Sequence, residues 1–288
     1  MAIRVKGDLS GLTIRPEVTY GTTPASATND WYGGTLESFK DDTSRDLQED
    51  PGDGTMKFSQ VYTGMHTAGF TATFTVPNNK IWVGWLELVM GEDAETFLNE
   101  VPSFSAEISV SSDSYFRYVG CKVNTLEIAI TSGEPVKFTV GVYAKACTFV
   151  SGARTIVKQL KPAVAPLIGN QNVTYTYKGT SRKFKSSVLS FGRELQREPY
   201  GTEASGLDSV PTTIDATVAL TETSQSTLFD ADKAAGTKGI AVNVVIDGVT
   251  IALKNCYLPG DDQPTRSQAT YDETVTAKAQ DVEVIVGV

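Results

Sequence analysis

From Gly69 to Val76 the chain alternates strictly, with Phe70, Ala72, Phe74 and Val76 on one side and Thr71, Thr73 and Thr75 on the other. A period of two with one apolar side predicts a strand that has one face on a core and one in water. Pro77 ends it, because proline brings no amide hydrogen to a ladder. The period then changes. In Ile81-Trp82-Val83-Gly84-Trp85-Leu86-Glu87-Leu88-Val89-Met90, a helical turn aligns Trp82, Trp85, Leu86 and Val89 on one stripe. Asn78 or Asn79 can cap its start and Gly91 suits a left-handed exit. The spacing predicts a short helix over residues 79–91, laid on the sheet as a lid. Strands follow over residues 104–110, 115–130 and 134–150, the last two joined by a Thr131-Ser132-Gly133 turn. The long 115–130 run is expected to bend near Gly120.

This order recurs. Val188-Leu189-Ser190-Phe191 echoes Leu36-Glu37-Ser38-Phe39, and Ile214-Asp215-Ala216-Thr217-Val218-Ala219-Leu220 repeats the alternating strand. A second helical run over 224–236 is shorter and more polar, with Leu228, Phe229 and Ala231 as its main apolar residues. Asn255-Cys256-Tyr257-Leu258 echoes Gly120-Cys121-Lys122-Val123, and residues 271–279 echo 138–146. Further strands are expected over 240–246, 249–253, 269–279 and 282–286. The reading is a duplicated β unit: an extended arm over 1–35, a first unit over 36–150, a connector over 151–187 and a second unit over 188–288. Phe39/Phe191, Ala72/Ala216, Cys121/Cys256 and Ala146/Ala279 are the expected equivalent pairs.

Composition adds charge to this picture. The 288 residues hold 40% hydrophobic residues, enough for one large core or two modest ones. Acidic residues outnumber basic ones 34 to 25, a formal charge of −9, which argues against binding nucleic acid through clustered lysine and arginine. It is compatible with a surface past which DNA slides without sticking. The acidic residues gather at Asp41, Asp42, Asp46, Glu49, Asp50 and Asp53, before the turn Asp50-Pro51-Gly52-Asp53-Gly54. With no strand period, residues 40–55 read as a projecting acidic loop. The one basic segment lies between Arg154 and Arg197, within and just beyond the connector, and includes Arg182, Lys183 and Lys185. A strand is expected there over residues 173–177.

Catalytic chemistry has few candidates. His66 is the only histidine, so no histidine triad or paired-histidine metal site can form in one chain. Cys121, Cys147 and Cys256 form no CxxC pair and are read as small buried hydrophobes. The doublets Asp41-Asp42 and Asp261-Asp262 read as solvated turn residues, and Gly52-Asp53-Gly54 lacks the remainder of a phosphate loop. No catalytic residue, cofactor or metal is expected. Residues 1–8 show no apolar core of signal-peptide length and Glu87 interrupts the best apolar run, so the expectation is a soluble, unsecreted chain without a membrane partner.

Three segments carry a resemblance: Tyr20-Gly21-Thr22-Thr23-Pro24, the run Tyr115-Phe116-Arg117-Tyr118-Val119-Gly120-Cys121-Lys122-Val123-Asn124, and the turn Gly133-Glu134-Pro135-Val136. They resemble the tail tube proteins of long-tailed phages. The resemblance implies a mainly β fold: two tandem β-sandwich or half-barrel units, each with a short flanking helix, contributing to an inner β-barrel closed around a ring. It further implies a structural, non-enzymatic virion tail subunit, assembled in the host cytoplasm, whose stacked rings conduct DNA out of the capsid. Self, the tail tape-measure, tail terminator and baseplate or tip proteins would be its partners, and DNA would pass without specific binding. The usual ring has six single-unit chains, so a two-unit chain is expected to form a trimer with pseudo-sixfold symmetry. Asp41, Asp42 and Asp46 are then expected to meet Arg182, Lys183 and Lys185 of another subunit, in the adjacent ring. The competing reading is a virion β-sandwich adhesin or carbohydrate-binding module, for which Trp31-Tyr32 is the one candidate aromatic platform.

Overall fold

The computed structural model describes residues 11–25, 30–50, 60–91, 101–110, 114–152, 156, 159–195, 215–224, 239–258 and 271–286. These form β1 (Gly11–Pro16), β2 (Trp31–Asp41), β3 (Ser44–Asp50), β4 (Gln60–Thr75), helix α1 (Val83–Met90), β5 (Phe104–Ser109), β6 (Ser114–Thr131), β7 (Lys137–Ala144) and β8 (Ala146–Ser151). The helical turn α2 (Gly169–Asn172) follows, then β9 (Val173–Tyr177), β10 (Thr180–Arg182), β11 (Ser186–Gly192), β12 (Asp215–Ser224), β13 (Ile240–Ile246), β14 (Val249–Cys256), β15 (Tyr271–Ala279) and β16 (Asp281–Val286). The chain is mainly β, as expected.

Six antiparallel strands close into a barrel in the order β1–β5–β6–β7–β4–β2 and back to β1. Its core follows from the alternation: Phe70, Phe74, Phe104 and Phe138 are fully buried, with Phe74 stacked on Phe138 at 5.9 Å between centroids. The stripe Trp82, Trp85, Leu86 and Val89 of the lid helix is likewise at 0% exposure. Trp85 donates its indole N–H to Gly33 O at 2.8 Å, satisfying the one polar atom that its burial removes from water. The helix starts at Val83 after a turn, with no side-chain cap from the asparagines.

β6 bends at Gly120, where φ is +62° and an added Cβ would sit 2.6 Å from Lys145 Cβ. Before the bend β6 lies between β5 and β8; beyond it, between β7 and β11. From β11 the sheet continues through β12 to β15, while β10–β9–β13–β14–β16 form a second sheet. Val218, Leu220, Val242, Val244, Ile251, Val275 and Val284 join the same buried cluster as the barrel core.

Several expectations are corrected. Within the expected arm over 1–35, residues 11–16 form the barrel strand β1 and β2 begins at Trp31, while residues 1–10 and 26–29 lie outside the described residues. The following loop is pinned by Arg15, 2% exposed, whose guanidinium donates to both oxygens of Asp30 and to Pro24 O. Glu17 accepts from Gly21 N, Gly120 N and Ser105 Oγ, and the Tyr20 ring lies near the ammonium groups of both Lys122 and Lys145. The Tyr20-Gly21 segment therefore clamps the bend of β6.

Of the expected loop over 40–55, residues 44–50 form β3, and residues 51–55 lie outside the described residues. β3 continues the line of β2 along β4, pairing Ser44 with Thr67 and Arg45 with His66. The expected strand at 173–177 is β9, but it pairs with β13, so the later part of the connector belongs to the second sheet. The second expected helix, over 224–236, falls almost wholly outside the described residues, with Ser224 ending β12.

The expected equivalent pairs divide. Cys121 and Cys256 sit on matching rungs, opposite Phe104 and Ile240, the first residues of β5 and β13. Each follows a positive-φ residue, Gly120 at +62° and Asn255 at +50°, and each ladder slips by one residue at the next rung. Ala146 and Ala279 do not match: Ala146 opens β8, whereas Ala279 closes β15. Phe39 pairs with Ala72 as Phe191 pairs with Ala216, but the alanines pair onward with Val140, mid-strand, and with Ala279, at a strand end.

Candidate assembly interface

Seven strands in the order β2–β4–β7–β6–β11–β12–β15 form one antiparallel wall that runs through both halves of the chain. The joint is the β6–β11 pair, from Thr125 opposite Gly192 to Thr131 opposite Ser186. Leu126, Ile128, Ile130, Leu189 and Phe191 point into the core there, none more than 2% exposed.

The opposite face is hydroxyl-rich, a direct consequence of the Thr and Ser half of each alternating strand. Thr73 and Thr139 share a hydrogen bond of 3.1 Å, and Thr221 and Thr274 one of 2.8 Å. Charges on this face pair off: Lys137 with Glu37 at 3.0 Å and Lys278 with Asp215 at 2.6 Å. Over the joint lies an open trough of about 390 Å³ whose polar lining includes Thr125, Glu127, Thr139, Ser190, Asp215 and Thr217. The described hydroxyls and ion pairs make this a low-charge surface. Among the described residues no group of three or more His, Cys, Asp or Glu could hold a metal ion. No described helix is long and apolar enough to cross a membrane.

At one end the wall has an edge that the described strands cover only in part. β1 covers β2 only from Trp31 to Thr35; from Leu36 to Asp41 the described residues place no strand on that side. The corresponding side of β11 is filled by β6. An unpaired row of amides and carbonyls invites another strand.

Immediately after β11 comes Arg193, 2% exposed, with Nε donating to Val89 O at 2.6 Å and Nη2 donating to Met90 O. These are the last two carbonyls of α1, beyond Glu87 O, which accepts from Gly91 N. Arg193 N also donates to Asn124 O, and Leu195 N to Asn124 Oδ1, both at 2.8 Å. Burial pulls the Arg193 pKa below its ordinary value. One buried cation thus ties the second half to the helix of the first.

Of the acidic residues singled out from sequence, Asp41 and Asp42 take partners other than Arg182, Lys183 and Lys185 within the chain. Asp41 accepts from Tyr118 OH at 2.9 Å and Thr43 N at 3.0 Å; Asp42 holds Lys40 at 2.5 Å and accepts from Thr71 Oγ1 at 2.7 Å. Burial, with Asp41 and Cys147 nearby, pushes the Tyr118 hydroxyl pKa well up. Asp46 lies on β3, Arg182 ends β10 with a buried Nε that has no hydrogen-bond partner, and Lys183 and Lys185 are exposed. The His66 backbone pairs with Arg45 in the β3–β4 ladder. Cys121 and Cys256 are buried free thiols, as read from sequence, and Cys147 is half-buried. Trp31-Tyr32 is no open aromatic platform: Tyr32 is 4% exposed and Trp31 packs edge-on against Trp85 at 5.3 Å. Sequence reasoning did not find Arg193 or the β6–β11 joint.

No curated protein matches the chain. The family model for phage tail tube proteins matches residues 7–284, nearly its whole length. A hydroxyl-rich antiparallel wall runs through both halves of the chain. The chain belongs to the phage tail tube protein family.

Proposed function

We infer that this virion tail component polymerises with itself, as rings of three chains stacked into the tube that conducts DNA during ejection. The observation that carries the reading is the wall: it crosses both halves, and beyond Thr35 no described strand covers its β2 edge, whose counterpart on β11 is filled by β6 inside the same chain. Ring closure satisfies such an edge, and a cyclic oligomer closes without leaving another one free. Two β units per chain make three chains the equivalent of six single units. Duplication of one ancestral unit is part of this reading, supported by the matching rungs and ladder slips at Cys121 and Cys256.

The hydroxyl face of the wall lines the lumen. Its Glu37–Lys137 and Asp215–Lys278 pairs leave it neutral to slightly acidic, with Glu127 as a further acidic side chain. DNA passes without the phosphate neutralisation that a basic wall would impose. Between rings, Asp41, Asp42 and Asp46 face Arg182, Lys183 and Lys185 of the next ring, with Asp41 and Asp42 also holding partners in their own chain. The tape-measure, terminator and baseplate or tip proteins are the heterologous partners, and assembly takes place in the host cytoplasm.

Native mass spectrometry of the purified protein tests ring number. A species of three 30.9 kDa chains is expected, and a six-chain closed ring would overturn the trimer.

A further inference from the structure

Two neighbouring rungs build the trough over the β6–β11 joint. One runs Thr139–Glu127–Ser190–Thr217 across β7, β6, β11 and β12, and the next on the same face runs Gly141–Thr125–Gly192–Asp215. Its two glycines differ. Gly141 has a reason inside the chain, since an added Cβ would collide with Thr125 Oγ1. Gly192 has none among the described residues: its φ is not positive, and the nearest described atom that an added Cβ would meet is Asp215 O at 3.9 Å, an ordinary contact. A glycine paired on both sides weakens a ladder and commonly marks the close approach of another molecule. The space beside it is the trough of about 390 Å³, at the small end of the range of about 300–1,000 Å³ typical of ligand pockets.

Charge then selects the occupant. The carboxylates of Glu37 and Asp215 already hold Lys137 and Lys278, whereas the exposed Glu127 has no ion partner among the described residues. The described lining includes no cation, so a phosphate in the trough would meet Glu127 without neutralisation. A long cationic side chain suits it instead. Its methylenes can lie over Gly192 and the threonine methyls while its charged head reaches Glu127, with the Thr139 and Ser190 hydroxyls as further acceptors. We propose that the trough is a docking notch for the lysine or arginine side chains of a polypeptide threaded through the tube. The inference rests on the reading of the hydroxyl face as the lumen wall. Each ring of three chains then carries three notches, and a polypeptide with several basic side chains engages many at once, so that weak single contacts combine through multivalency.

The probe is a fluorescein-labelled octalysine peptide, added at low ionic strength to tubes assembled from the full chain and read by fluorescence anisotropy. Octaglutamate and a short DNA duplex are the anionic comparisons. Glu127→Gln removes the charge, Gly192→Val fills the notch at unchanged charge, and Glu134→Gln makes the same charge change on an exposed turn outside it. Octalysine is expected to bind the unmodified tubes, with Kd raised about tenfold or more by Glu127→Gln and by Gly192→Val and less than about twofold by Glu134→Gln. No octalysine binding, or preference for either anionic probe, would overturn the notch. Parental binding in Gly192→Val would overturn it too, as would equal weakening by Glu127→Gln and Glu134→Gln, since general acidity would then account for the attraction. Should Gly192→Val fail to fold or assemble, Glu127→Gln against Glu134→Gln decides alone. Each of these failures leaves the tube reading intact. Absence of tubes from the unmodified protein would instead remove the lumen reading, and the notch with it.

Discussion

Replacing Arg193 by Met should loosen the two halves of the subunit measurably. The variant keeps much of the aliphatic volume but leaves Val89 O and Met90 O without the guanidinium donors that they now have. Hydrogen bonds to a charged group contribute about 1.5–3 kcal/mol each. Against this stands the desolvation of the cation, visible in its lowered pKa. Removing one member of a buried charged contact typically destabilises by about 3–5 kcal/mol, and the lower end applies here because Met returns no buried charge to be neutralised. For a chain of this size about 1 kcal/mol moves the melting temperature by about 2–4 °C, so a drop of about 6–12 °C is expected. Near-ultraviolet circular dichroism reads it, since the buried Trp85 belongs to α1 and the buried Trp82 immediately precedes it. Arg193→Lys should recover less than half of the loss, because an ammonium cannot span both carbonyls in a fork. A shift below about 2 °C for Arg193→Met would refute the argument that this contact holds α1 to the second half.

Gly120→Ala should cost about 1–3 kcal/mol, since φ is +62° and the new Cβ would lie 2.6 Å from Lys145 Cβ; a chemical-denaturation midpoint unchanged from the parent would contradict this. Burial pushes the Cys256 thiol up to about 11 from 9.0, so the folded state holds its proton more tightly than the unfolded state. That contribution is complete below pH 9.0 and is lost as pH rises towards about 11; urea unfolding of Cys256→Ala should therefore show a shallower alkaline decline than the parent, and equal slopes would count against it. Asp46→Lys should shorten tubes at low ionic strength, with Lys183→Glu plus Lys185→Glu restoring length and high salt weakening the parent alike. Tubes of parental length in Asp46→Lys at low salt would remove the inter-ring contact.

Local periods made much of the fold legible. Phe70, Phe74, Phe138 and the Trp82–Val89 stripe entered the core as the alternation required, and Gly120 marked the bend. β3 was hidden because Ser44–Asp50 carries polar and acidic residues without an apolar period; its position is set by backbone pairing with β4 instead. β1 was hidden because Thr13 and Arg15 are buried polar residues, held by partners such as Asp30 that no short window reveals. The β6–β11 joint is a long-range pairing, invisible to periodicity. Matching Phe and Ala spelling set Ala72 beside Ala216, but a short window does not reveal that Ala72 pairs onward with Val140 in mid-strand and Ala216 with Ala279 at a strand end. For the interface, the charge segregation was readable, but the intrachain partners of Asp41 and Asp42 were not.

Cryo-electron microscopy of self-assembled protein tests the central claim most directly. The account predicts rings of three chains whose inner wall is a continuous β-barrel, closed at the Leu36–Asp41 edge of β2, with Thr73, Thr139 and Thr217 facing the lumen. Rings closed without a strand on that edge, or tubes with this hydroxyl face turned outward, would contradict it.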